Sequence, residues 1–200
     1  MESFAVSAGS QRKGGATRQR AAGVTDKHVA EDYDSKIRKK RRELAKFITE
    51  NFWDLPDTYK FGQSRSVIVG LSCLAFLFPA YTLWSVDRPE SVLWVVTAAL
   101  SLVSDYFITG QRKQRWKRAL HLLDRWVGAA NFLFQFLRLP WFLMAGYRPF
   151  CVACCGVVGS FLCKQMSWGV HTFGEYVVWH SVWHFYASAM RGLVVLLDHM

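Results

Sequence analysis

Residues 67–84 read VIVGLSCLAFLFPAYTLW, eighteen positions without one charged side chain. As a helix this stretch would rise about 27 Å, close to the roughly 30 Å of a bilayer's hydrocarbon core. A soluble core has no use for so long an uncharged run, and comparable blocks recur to the end of the chain. The apolar residues are bunched, not spread at core spacing. The reading is an all-α, polytopic transmembrane helix bundle.

Going toward the carboxyl end, the link SVDRPE (85–90) is too short for anything but a hairpin into a second span over 91–109. Next comes QRKQRWKR (111–118), with five basic residues in eight, and then a mostly apolar stretch long enough for two spans. A break at Pro140 gives spans at 119–137 and 141–163. A break over 146–149 would place Arg148 in a loop but leave the later span at about fifteen residues, below the usual spanning length. A link over 164–171 leads to a last span at 175–197, five in all. Lys and Arg alternate between the loops in step with these crossings, which places the amino terminus in the cytoplasm and the carboxyl terminus in the lumen or exterior. The expected location is the endoplasmic reticulum or another endomembrane.

Toward the amino end, residues 34–60 form a juxtamembrane segment. Ile37, Leu44, Phe47, Ile48 and Phe52 recur at helical spacing, with KIRKKRREL (36–44) supplying the charge between them. This pattern is that of an amphipathic helix on an anionic leaflet. Residues 1–33, rich in Gly, Ser, Ala, Gln and Arg, lack the apolar surface to fold and read as a disordered basic tail. No apolar h-region follows the early basic residues, so the tail is no secretory signal and targeting falls to the first span. Thirteen of the 25 Lys and Arg residues precede Phe61, so the net charge of +10 belongs to the tail. The expected partners are membrane lipids, not nucleic acid. Five cysteines (Cys73, Cys151, Cys154, Cys155 and Cys163) lie within apolar blocks and read as reduced packing residues.

Ionisable groups inside spans are costly and point to function. Asp105 falls near the inner end of the second span, His121 and Asp124 near the inner start of the third, and His180 and His184 in the inner half of the fifth. His180 and His184 are four apart, as are Ser101 and Asp105, so each pair shares a helix face. Two imidazoles so placed, with a carboxylate from another helix, suit a zinc ion that keeps a position open for water. His180, His184 and Asp105 are the expected ligands, with Asp124 orienting or deprotonating the water and Ser101 bonding the oxyanion or a ligand. His121 reads as a supporting or interfacial residue. Paired with His180 or His184 across a haem, it would instead suit electron transfer.

The order Ser101-x3-Asp105, then Asp124, then HSVWH at 180–184 resembles the CREST superfamily, which groups alkaline ceramidases with progestin and adipoQ receptors. The resemblance covers 101–124 and 175–188. It implies a zinc site at the histidines and hydrolysis of a lipid amide. The family has a histidine where this chain has Asp105, and seven spans where five are counted here. The functional expectation is a zinc-dependent intramembrane hydrolase of a lipid amide or ester. The alternative is a multi-pass scaffold or lipid sensor whose polar cluster only holds helices together.

Overall fold

A computed structural model of the chain describes residues 15–198, with side chains described over 32–198. Among the described residues every regular element is helical. The chain divides into two units, Met1–Ile48 and Thr49–Met200. The first described element, α1 (Gly15–Phe52), is rich in Lys, Arg, Glu and Ala, all strong helix formers. It begins well before the expected juxtamembrane helix, so residues 15–33 are helical where disorder was expected. Residues 1–14 of that expectation lie outside the described residues.

The second unit is a bundle. The 67–84 stretch forms α2 (Val67–Cys73) and α3 (Leu77–Leu83), joined by a 3-10 turn over Leu74–Phe76. Ser66 caps its start by accepting from the Val69 N–H. Next comes α4 (Arg88–Leu102), whose Asp87 side chain accepts from the Glu90 N–H, and a π-helical turn over Val103–Phe107. There follow α5 (Arg115–Leu137), α6 (Leu139–Ala145), α7 (Tyr147–Gly169) and α8 (Phe173–Asp198). Among the described residues three helical stretches are long and apolar enough to cross a membrane: Arg88–Phe107, Arg115–Ala145 and Tyr147–Gly169. The chain therefore has the makings of a membrane protein. Val67–Leu83 is apolar but shorter.

The break between α5 and α7 differs from the expected one. Pro140 sits in the first turn of α6, where its missing N–H costs nothing, so it does not end the apolar stretch. The chain turns instead at Gly146, with φ at +145°, a conformation that side chains with a Cβ rarely adopt. As a result α7 runs past the expected end at Cys163, and Lys164 lies inside a helix instead of in a link.

Small polar side chains are buried alongside the apolar core, and many large apolar ones are exposed. Ser72, Ser91, Thr97, Ser101, Ser104, Ser160, Ser167 and Ser188 are buried between helices, while Leu71, Phe78, Tyr81, Val158 and Phe185 are exposed. Small hydroxyl residues let helices approach and bond across the interface, as in bundles solvated by lipid. Among these helices α8 is central, packing against α2, α3 and α7, with α4 lying against both α3 and α5.

Candidate metal centre

Asp105 lies in the π-turn, where an i→i+5 bond from the Ile108 N–H to the Val103 carbonyl (3.0 Å) widens the helix. Ser101 meets α5, donating to Asp124 Oδ1 at 2.8 Å, and Asp105 meets α8, where its Oδ2 lies 3.0 Å from His180 Nε2 and 3.9 Å from His184 Nε2. The pairs predicted from four-residue spacing thus separate for Ser101 and Asp105. They stay together for the histidines, whose rings lie 4.6 Å apart.

Hydrogen bonds assign the tautomers. Ser72 Oγ donates to the Val69 carbonyl at 2.8 Å, so at 2.9 Å from His184 Nδ1 it can only accept, and Nδ1 carries the proton. His184 Nε2 is left with a bare lone pair, fully buried and without a partner. Cys73 Sγ, an Asp105 oxygen and a His184 nitrogen all lie within 4.8 Å of one another, the spacing of ligands around one ion. His180 differs: its Nε2 must donate to the carboxylate, and Nδ1 accepts from Ser167 Oγ at 3.2 Å. It holds Asp105 in place.

Sequence reasoning took Cys73 for a packing thiol. Its only signal was the Ser72–Cys73 pair in an otherwise apolar run, on a span whose partner was not known. The other four cysteines are free, and among the described residues none joins a ligand-spaced group. Asp124 makes no ion pair with its neighbour Arg125, which donates to Asn51 Oδ1 (2.7 Å) and to the Asn51 carbonyl (3.0 Å). His121 is saturated: Nε2 donates to the Ile108 carbonyl at 3.1 Å and Nδ1 accepts from Ser104 Oγ at 2.7 Å. With neither ring nitrogen free, it offers no axial ligand to a haem. Lys164 contributes a cation that was not foreseen, its Nζ lying 3.7 Å from the Trp183 ring centroid and acting electrostatically on both Asp105 and Asp124.

Two further features bound the centre. On one side the Tyr59 and Tyr176 rings meet edge to face at 6.1 Å, and Tyr176 lies 4.8 Å from the His180 ring. Burial pushes the Tyr59 phenol up to about 12 and lowers the pKa of Arg112, whose guanidinium lies over the Tyr59 ring. Away from this cap, a half-open cleft lies between α4, α5, α7 and α8, with a cavity volume of about 80 Å³. Ser101 and Trp183 line it near the centre, Arg191 and Phe142 line its far end, and most of its wall is apolar.

Comparison with protein-family models, curated proteins and solved structures finds no match to this chain.

The far end of the cavity holds a second buried charge cluster that sequence reading missed. Glu90, 1% exposed, accepts two bonds from Arg191 at 2.6 Å each, one from Gln135 at 2.9 Å and one from Trp94 at 3.1 Å. It also pairs with Arg138, which donates to Asp87 Oδ2 at 2.8 Å.

Proposed function

We propose that the chain is a five-span, metal-dependent intramembrane hydrolase acting on a lipid amide or ester. The observation that carries this reading is the bare Nε2 of His184, buried within ligand spacing of Cys73 and Asp105. A thiolate, a carboxylate and an imidazole make a donor set that fits zinc and leaves one position open. Bound there, zinc would polarise the substrate carbonyl and bring the pKa of a water toward about 7. Ser72 fixes the tautomer of His184, and His180 fixes the orientation of Asp105. In this scheme Asp124, held by Ser101, takes the proton from the attacking water. It returns that proton to the nitrogen or oxygen leaving the acyl carbon. The Lys164 ammonium offsets negative charge developing on the acyl oxygen. The mostly apolar cleft that begins at Ser101 is the surface an acyl chain would lie against. The order Ser101, Asp105, Asp124, His180, His184, similar to that of the CREST superfamily, favours a lipid amide.

Metal analysis of detergent-purified protein tests this. About one zinc per chain is expected, lost in His184→Ala and in Cys73→Ala.

A second reading has its own support. The bonds Ser101–Asp124, Ser104–His121 and Asn131–Thr97 tie α4 and the π-helical turn after it to α5, as they would in a scaffold whose polar groups only staple helices. Purified protein without bound metal, and with no zinc affinity after dialysis, would favour it.

A further inference from the structure

Within α1, residues 36–46 hold seven basic side chains and one acidic, Glu43. Like charges three and four residues apart weaken a helix, and Lys36, Lys39 and Lys40, like Arg38, Arg41 and Arg42, stand at those spacings. One ion pair at the start of the segment, Lys36 with Asp32 at 2.7 Å, offsets little of this. A helix of this charge calls for a polyanion beside it.

The apolar residues say which polyanion. At about 100° per residue, Tyr33, Ile37, Leu44 and Ile48 fall within a stripe about 60° wide, while Arg38, Lys39, Arg41 and Arg42 lie on the remaining circumference. Tyr33, Leu44 and Ile48 are exposed. Nucleic acid rewards the cations alone; a lipid headgroup layer rewards the cations and the stripe together.

The last turn of α1 supplies the second observation. Residues 49–52 belong to the bundle unit. Arg125 holds Asn51 by two bonds, and Trp126 Nε1 donates to the Phe52 carbonyl at 2.9 Å. Trp53 and Trp126 meet edge to face at 5.1 Å, and both are exposed, as is Trp116. Exposed tryptophans are favoured near the headgroup level of a membrane bundle, and Trp116 stands at the start of α5, within residues 111–118. The polybasic segment is joined to the bundle unit through residues 49–52. Arg42 is nine residues from Asn51, so the tether alone keeps these cations at high effective concentration near the membrane.

We infer that residues 33–48 of α1 bind the anionic headgroup layer of the leaflet next to the 111–118 loop, with Tyr33, Leu44 and Ile48 inserted and the cations on lipid phosphates and carboxylates. The inference does not depend on the metal centre.

Amide hydrogen exchange of the full chain in nanodiscs tests it, comparing pure phosphatidylcholine with discs holding about 30 mol % phosphatidylserine. Exchange over 33–48 is expected to slow at least about tenfold with the anionic lipid, and to recover at about 1 M salt, where the Debye length falls to about 3 Å. Lys39→Gln with Arg42→Gln, both helix-compatible, should remove most of the protection, and Leu44→Ala with Ile48→Ala should reduce it. Unchanged exchange over 67–83 in the same samples shows that each variant retains its fold. Equal exchange in the two discs would overturn the inference. So would protection that survives both double variants, or equal protection by duplex RNA added to phosphatidylcholine discs.

Discussion

Ser72 has one hydroxyl hydrogen, and by giving it to the Val69 carbonyl it obliges His184 to keep its own proton on Nδ1. Ser72→Ala removes that constraint while leaving Cys73, Asp105 and His184 in place. If the centre binds zinc, the variant's affinity should fall about 10- to 100-fold, the usual cost of losing a group that orients a ligand. Competition against a chromophoric chelator measures this, and an unchanged affinity would separate Ser72 from the site. Cys73 has its own signature. Cobalt substituted at the centre should show an intense near-ultraviolet thiolate charge-transfer band that is absent in Cys73→Ser, and its absence from the unmodified protein would remove the thiol from the ligand set. Histidine spacing was readable in the sequence because four residues on a helix fix a shared face. The role of Cys73 was not, because a thiol in an apolar run looks the same whether it faces lipid, a neighbouring helix or an ion.

Helical elements carry their own tests. Glu90 ties α4 to α8 through Arg191 and to the end of α5 through Gln135 and Arg138. Glu90→Ala would strand buried guanidinium charge, so it should cost about 3–5 kcal/mol, read as a lower thermal midpoint in detergent. Glu90→Leu combined with Arg191→Met should recover much of that loss, because a buried pair replaced by apolar groups of similar size is often neutral. At the opposite end, Gly62 and Gly110 both have positive φ, and a Cβ on Gly110 would lie 1.9 Å from the Gly62 carbonyl oxygen. Gly110→Ala should therefore loosen the loop beside Tyr59 and Arg112, speeding amide exchange over 108–114 while leaving α8 unchanged. The apolar blocks could be read from hydropathy and the shared face of His180 and His184 from periodicity, whereas the expected 85–90 link is shorter, because Arg88, Pro89 and Glu90 already open α4. The π-turn could not be read, since Val103 to Phe107 has no residue that announces an i→i+5 bond. The Glu90–Arg191 pair was equally hidden, its members being 101 positions apart.

Over the whole molecule, the five crossings proposed above would put tags at Met1 and in the 111–118 loop on the same side of sealed vesicles and one after Met200 on the other. Protease protection decides it, and two termini on one side would require an even number of crossings. The arrangement of helices also bears on how the chain is made. The partners of Ser72, Asp105, Ser167 and Glu90 are His184, His180 and Arg191, all on α8. A ribosome delivers α8 after every helix it satisfies, so the nascent bundle must wait in the bilayer with Asp105 lacking its histidine and Glu90 held only by Arg138, Gln135 and Trp94. In that interval a membrane chaperone able to shelter half-assembled polar spans has something to hold. A message truncated before Phe173 should yield a protein that inserts, fails to close, and is cleared far faster than the full chain.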